Sequence, residues 1–372
     1  MRGSIFIFEA AQAPFGGDDH RQRGTWQLLV FITILLACAD QTVPAADAPR
    51  EHLSTPTKPR VSIILAQIPF RASNGDCLNA VIDAGFPDLP GGSRIAISTS
   101  HEPGGRLVVL TSGFDAAGRP ALSFDATRIL FVGRRGPDDR LNVWEMGVDG
   151  GDLRQITHEP ASCGRAVYLS SLYTNENADP FELICYSVLT ERGISQIFTC
   201  RLDGTGRRQI TFAPNGATDP LLLSDGRLLF HIFPSAHDPA NSTNHGSSSR
   251  PVSNLFTTNI DGADLSLFAT GGESPVEQGM PCESDDGRVL FVETNRSGPD
   301  TRSAIVAVDR AKSLSTRREV FTTAAGCCAT PASLPDGRIL ISKRGVDASS
   351  FDVFVFDPLT PSRNRVLVET PD

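Results

Sequence analysis

A cassette recurs along this chain: a proline, four residues, an aspartate, then an apolar run. It occurs as Pro220-Leu-Leu-Leu-Ser-Asp225-Gly226-Arg227-Leu-Leu-Phe230, as Pro281-Cys-Glu-Ser-Asp-Asp286-Gly287-Arg288-Val-Leu-Phe291 and as Pro331-Ala-Ser-Leu-Pro-Asp336-Gly337-Arg338-Ile-Leu-Ile341. A copy without the glycine is Pro120-Ala-Leu-Ser-Phe-Asp125-Ala-Thr-Arg128-Ile-Leu-Phe131. The spacing from proline to aspartate is the same in all four. A period of about fifty residues marks one supersecondary unit used repeatedly, and it constrains the architecture more than any local propensity does.

The unit can be read strand by strand. Ala121–Phe124 is a short strand that ends in the Asp125 turn, and Arg128–Val132 is a near-continuous apolar strand of the kind buried on both faces. Leu141-Asn-Val-Trp-Glu-Met146 alternates and has one buried face. Asp149-Gly150-Gly151 is a hairpin signal, and Leu153-Arg-Gln-Ile-Thr157 closes the unit. Four antiparallel strands make one blade of a β-propeller. The same hairpin returns at Asp203-Gly204 before Arg208-Gln-Ile-Thr211 and at Asp261-Gly262; at Asp309-Arg310 the glycine is lost.

Blades are expected to begin near Pro120, Ser162, Pro220, Pro281 and Pro331, with an irregular second one in which Tyr173–Pro180 is an insertion. A sixth fits upstream, from Val61–Ala66, Arg94–Ser98 and Arg106–Thr111; Val-Leu-Thr there matches the end of Gln-Ile-Thr. The expected fold is therefore all-β: a six-bladed propeller of four-stranded antiparallel sheets, five clear blades plus an N-terminal sixth, closed as a monomeric ring over residues 59–372. Radial closure leaves only short, protected edges. No sustained helical period follows residue 45.

The net charge of −9 argues against a nucleic-acid surface, which needs a basic stripe. Residues 235–250 are Ser, Asn, His, Pro and Gly with almost no apolar residue, and read as an exposed loop. His231, His237 and His245 lie in or near it, but their spacing matches no compact metal site, so no metal is expected. Asn241-Ser-Thr243 is a formal glycosylation triplet, which matters only in a eukaryotic secretory route.

Arg21 and Arg23 precede an apolar run from Trp26 to Ala37. That is short for a bilayer span and fits an export-signal core. Its end, Leu35-Leu36-Ala37-Cys38, resembles the lipobox of bacterial lipoproteins, in which Cys38 becomes the lipidated first residue; Leu36 departs from the small or medium residue usual there. Ordinary cleavage near Ala37 or Ala39 and an uncleaved anchor are the alternatives. Residues 1–38 are thus expected to be an export or lipoprotein signal, and residues 39–58 a flexible linker. This places the propeller in a bacterial periplasm or tethered to the envelope through its N-terminus.

Seven further cysteines follow: Cys77, Cys163, Cys185, Cys200, Cys282, Cys327 and Cys328. Export permits disulfides, and Cys163 with Cys327 or Cys328 is one conceivable pair; small buried hydrophobes are the other reading. There is no Gly-x-Ser-x-Gly elbow, no His-Glu-x-x-His helix, no Cys-x-x-Cys-His haem attachment and no phosphate loop. No catalytic residues and no cofactor are assigned. Asp125, Asp225, Asp286 and Asp336 repeat at one blade position and read as turn formers.

The cassettes, above all Ser123–Phe131 with Val143–Thr157, resemble the TolB-type, WD-like propeller repeat, and in particular the propeller region of hydrazine synthase alpha-subunit-like proteins. Those relatives often carry c-type haem; this sequence has no haem motif. The resemblance implies a six-bladed ring that binds a protein or peptide partner at one mouth of its channel. The expected function is a non-catalytic, exported interaction or ligand-binding module. The alternatives are a lyase or hydrolase with its site in the channel, or a haem-less accessory subunit of a redox complex. Fold alone does not choose among them.

Overall fold

In the computed structural model, six four-stranded antiparallel sheets form the ring. The structure describes residues 27–36, 61–70, 89–98, 107–169, 172–174, 177–190, 193–232, 254–270, 276–295, 302–323, 326–334, 336–345, 351–358 and 365–368. Residues 39–58, Cys38, Cys77, His237, His245 and the Asn241 triplet lie outside them.

Each blade is one contiguous stretch of chain running from the channel outward. Blade I holds β1 (Gln27–Leu36), β2 (Val61–Phe70), β3 (Arg94–Ser98) and β4 (Leu107–Val109). Blade II holds β5 (Ala116–Leu122), β6 (Arg128–Arg134), β7 (Asn142–Gly147) and β8 (Arg154–Gln155). Blade III starts with β9 (Cys163–Tyr168), diverts into a two-stranded hairpin, β10 (Leu172–Thr174) and β11 (Asn177–Phe181), then resumes with β12 (Leu183–Leu189), β13 (Ser195–Arg201) and β14 (Arg208–Gln209). Blade IV holds β15 (Ala217–Leu222), β16 (Leu228–Ile232), β17 (Asn254–Thr258) and β18 (Ser266–Ala269). Blade V holds β19 (Val276–Glu283), β20 (Arg288–Asn295), β21 (Arg302–Asp309) and β22 (Arg318–Thr322). Blade VI holds β23 (Cys327–Ser333), β24 (Ile339–Arg344), β25 (Asp352–Phe356) and β26 (Arg365–Val368). The innermost strands touch in the order β1, β5, β9, β15, β19, β23 and back to β1, which closes the ring.

Two details differ from the sequence reading. The innermost strand of blade I is Gln27–Leu36, the segment read as an export core, paired residue by residue with Val61–Phe70. The cassette proline does not open the inner strand; it lies within it. In blades II, IV, V and VI the register of inner against second strand slips at this point, making a bulge. The residue before the proline takes left-handed backbone: Arg119, Asp219, Met280 and Thr330 have φ of 55°, 56°, 53° and 49°. Proline brings no ladder donor and disfavours right-handed helical backbone in its predecessor, so a bulge is where a strand tolerates it. Each left-handed non-glycine residue costs about 1–2 kcal/mol.

The Gln-Ile-Thr motif is a clamp that locks the fourth strand onto the third. Thr157 Oγ1 accepts from the Val143 amide at 2.8 Å and donates to Asn142 Oδ1 at 2.9 Å. Thr211 repeats this with the Ile197 amide at 2.8 Å and Gln196 Oε1 at 2.9 Å. Thr111 accepts from the Ile95 amide at 2.9 Å, so Val-Leu-Thr in blade I does the same work. The glutamine folds back on the same threonine: Gln155 and Gln209 donate to the carbonyls of Thr157 and Thr211 at 2.7 Å each.

The Asp-Gly turn joins neighbouring blades as well as adjacent strands. Gly204 (φ +82°) packs so closely on the carbonyl of Ile156, in the blade before it, that an added Cβ would meet that oxygen at 2.4 Å. Gly262 stands in the same relation to Ile210 at 2.5 Å. Where blade V lacks the glycine, one 3₁₀ turn (Arg310–Lys312) replaces the hairpin turn, capped by Asp309, which accepts from the Ala311 amide.

Cys163, Cys185, Cys200, Cys282 and Cys328 are free thiols, so neither a Cys163–Cys327 nor a Cys163–Cys328 bridge forms. Cys163 is held instead beside the Thr157 clamp, at 3.6 Å. Cys327 is disulfide-bonded, to a partner outside the described residues. Cys185 and Cys200 sit one register step apart. Cys282 is next to last in β19.

Gly204→Ala adds both a left-handed penalty and a backbone clash, whereas Gly226→Ala (φ +89°) meets nothing within 4 Å. Gly226→Ala is expected to cost about 1 kcal/mol and Gly204→Ala at least about 2 kcal/mol more. Urea midpoints at a common slope check this; equal losses refute the packing role of Gly204.

Candidate functional site in the channel

The strand order places the connections from first to second strand at one mouth of the ring, together with those from third to fourth. The other connections share the opposite mouth. At the first mouth each cassette aspartate serves its own turn. Asp125 accepts from the Thr127 amide at 3.1 Å, Asp225 from Arg227 at 3.1 Å, Asp286 from Arg288 at 3.2 Å and Asp336 from Arg338 at 3.2 Å. The arginine of the cassette folds back on the same carboxylate, at 2.8 Å for Arg227–Asp225 and 2.6 Å for Arg338–Asp336. The Ser123 hydroxyl holds the Asp125 carboxyl below its ordinary value. These aspartates are structural, as their repetition indicated.

Two further features join the blade V 3₁₀ turn in breaking the uniformity of this mouth. Phe124, on the Asp125 turn, is 64% exposed. The β10–β11 hairpin rises from the neighbouring first-to-second connection, where four other blades have tight turns. It occupies the place where Tyr173–Pro180 was read as an insertion.

The inner strands of blades III and IV hold a different group. In β9 the bulge comprises Gly164 and Arg165, opposite Ser187. In β15 it comprises Asp219 and Pro220, opposite Phe230. Arg165 Nη1 lies 3.4 Å from Asp219 Oδ1, and both side chains keep some exposure, 24% and 16%. Behind them is His231, on β16 opposite Thr218. Its Nε2 lies 3.8 Å from Asp219 Oδ2 and has no hydrogen-bond partner, although the residue is only 4% exposed. His231 is therefore a buried strand residue and not part of the loop with which sequence grouped it. Burial holds the imidazole below its ordinary pKa; Asp219 pulls it up and Arg165 pushes it further down.

Among the described residues the free thiols are all held protonated by burial. Burial pushes Cys282, Cys163 and Cys200 up to about 12 and Cys328 up to about 11. Among the described residues no three His, Cys, Asp or Glu side chains group as metal ligands. Between blades II and III the buried charges are structural. Glu145 takes the Tyr168 hydroxyl at 2.9 Å and Arg154 at 2.7 Å, while Glu159 takes the Tyr186 hydroxyl at 2.9 Å and Arg207 at 2.5 Å.

No family model matches the sequence. Hydrazine synthase subunit alpha of Kuenenia stuttgartiensis is 31% identical over 83 residues, 22% of this chain and 10% of that protein. The solved Kuenenia stuttgartiensis hydrazine synthase is similar at a TM-score of 0.63 and 18% identity, covering 84% of this chain and 46% of that one. A structure described as TolB from Agrobacterium tumefaciens gives 0.51 at 16% identity, over 70% and 84% of the two chains. A chain of a nidogen/laminin complex gives 0.50 at 12%, over 76% and 91%. The resemblance read from the cassettes thus holds as a shared fold with hydrazine synthase and TolB-like propellers. This chain spans a tenth of the curated relative it matches and less than half of the hydrazine synthase chain.

Because burial holds folded His231 below its ordinary value, the unfolded chain takes up a proton more readily than the folded chain as pH falls through about 6.5. Stability is present above that pH and is lost as pH falls through it, by at most about 1.4 kcal/mol per unit for this one group. His231→Gln is expected to flatten the slope between pH 7 and 5.5, read from urea unfolding. An unchanged slope refutes the assignment.

Proposed function

We propose that the chain is a non-catalytic binding module of the cell envelope that receives a protein or peptide partner at its turn-bearing mouth. The observation that carries this is the β10–β11 hairpin on the blade next to exposed Phe124, a local departure from the tight turns of four other blades. A rigid ring that varies at one loop cluster is a common way for a scaffold to present a recognition surface. An aromatic side chain left in water beside it supplies the apolar anchor that interfaces favour. The nidogen/laminin structure shows a chain of this fold in a complex of two proteins.

Export through the N-terminal segment is part of the proposal, with Cys38 as the lipidated residue or cleavage beside it. A specific observation favours a second reading: Gln27–Leu36 is the inner strand of blade I. Removing it leaves that blade three strands, so one segment cannot both depart as a signal and line the channel. A third reading, an accessory subunit of a redox complex, has only the partial likeness to hydrazine synthase behind it.

Two measurements separate these. Crosslinking capture from the native envelope is expected to yield a defined partner that is lost with Phe124→Ser and with the hairpin replaced by an Asp-Gly turn. Capture that survives both changes sinks the mouth assignment, and cytochromes among the products support the accessory subunit. Intact mass of the native protein is expected to begin at Cys38 with a diacyl-sized gain, or close to Ala39. A chain that retains Gln27–Leu36 refutes cleavage and supports the strand.

A further inference from the structure

Cys327 opens the inner strand of blade VI, beside the seam where the ring closes on blade I. Of the 8 cysteines in the chain, Cys163, Cys185, Cys200, Cys282 and Cys328 are free thiols, and Cys327 is disulfide-bonded. Only Cys38 and Cys77 are left as its partner. Successive side chains of a strand face opposite sides, and this separates Cys327 from its neighbour. Cys328 faces blade V: its amide donates to Ser303 Oγ at 2.7 Å, and the Ser303 hydroxyl donates to its sulfur at 3.3 Å. Cys327 faces the other way and shares a buried cluster with Ala66, Ile68 and Leu89 of blade I. Cys77 lies between Ile68 and Leu89 in sequence, so the chain that carries it leaves from and returns to the cluster that holds Cys327.

Cys38 belongs to the opposite mouth. It follows Leu36, whose partner Val61 opens β2 at the turn-bearing mouth. Two residues of chain reach at most about 7 Å. Cys327 opens β23 at the other mouth, and the seven residues of that strand set it about 20 Å from the turn-bearing rim. A disulfide needs Cα atoms within about 7 Å of each other. Packing follows the same order: at the far end of β23, Ala332 shares a cluster with Ile63, Ile64 and Leu65, at the start of β2.

We infer that Cys77 is the partner of Cys327, and that their bond closes the ring covalently between blades I and VI, where no sheet hydrogen bond crosses. The bond forms when each thiol gives up its hydrogen to a disulfide donor such as glutathione disulfide, whose own S–S bond breaks as it leaves as two thiols. It persists in an oxidising compartment, and reduction opens it. Because it ties residues far apart in sequence, it restricts the unfolded chain strongly and so favours the closed ring. The inference is independent of any partner at the turn-bearing mouth.

The test uses the purified full chain equilibrated with glutathione disulfide, its remaining thiols blocked with N-ethylmaleimide in denaturant, and then cut with trypsin. Mass spectrometry is expected to find residues 72–94 joined to residues 319–338, with Cys328 carrying the blocking group. Blocked Cys77 and Cys327, or a bond from Cys327 to the peptide that holds Cys38, overturns the inference. Thermal unfolding tests the closure. Dithiothreitol is expected to lower the Tm of the oxidised chain by at least about 4 °C. Cys77→Ser, Cys327→Ser and the double variant are expected to share that lowered Tm and to ignore dithiothreitol, because one bond is lost only once. Cys38→Ser is expected to behave as the unaltered chain. A Tm of the unaltered chain that dithiothreitol leaves in place refutes the closure. Should a serine variant fail to fold, the peptide map and the dithiothreitol response of the unaltered chain decide the matter by themselves.

Discussion

The ring depends on one seam. Blades are contiguous pieces of chain, so no strand is shared between the first and the last, and no sheet hydrogen bond crosses from blade VI to blade I. Apolar packing joins the two blades, beside the disulfide that Cys327 of blade VI makes with a cysteine outside the described residues. Ile63, Ile64, Leu65 and Ala96 of blade I share one buried cluster with Ala332, Leu340, Val353 and Val355 of blade VI, and Ile129, Phe131 and Met146 of blade II join it. Full burial of such a side chain contributes about 1.5–3 kcal/mol. The second strand of blade I, Val61–Phe70, is thus the place where local sheet pairing and ring closure meet, since it pairs with β1 and β3 while its side chains fill the seam.

The fold was readable because its signals are chemical and periodic. Asp125, Asp225, Asp286 and Asp336 recur since each tight turn needs a carboxylate to hold its own amide. The threonine of Gln-Ile-Thr recurs since one hydroxyl must hold two strands together. Gln27–Leu36 resisted reading for a physical reason. A continuous apolar run reads equally as a strand and as the core of an export signal. Val61–Val109 supplied three strands of a blade and left its fourth unassigned.

The channel group was not legible, because Arg165, Asp219 and His231 belong to separate strands that only the ring brings together. One signal was present and went unused: the residue just before each cassette proline. Arg119, Asp219, Met280 and Thr330 hold that place, and each stands in the bulge of an inner strand. A charged residue there sits at a strained position lining the inside of the ring. The proline marks a turn for the eye, but its structural role is to fix where the strand kinks and which side chain the kink presents.

Because every blade runs from the channel outward within one unbroken stretch, each connection between consecutive blades passes from an outermost strand to the next innermost one. A break placed in the blade III–IV connection around Phe212–Gly216 falls between two sheets and interrupts no ladder within either. The protein is in that sense a necklace whose clasp can be moved.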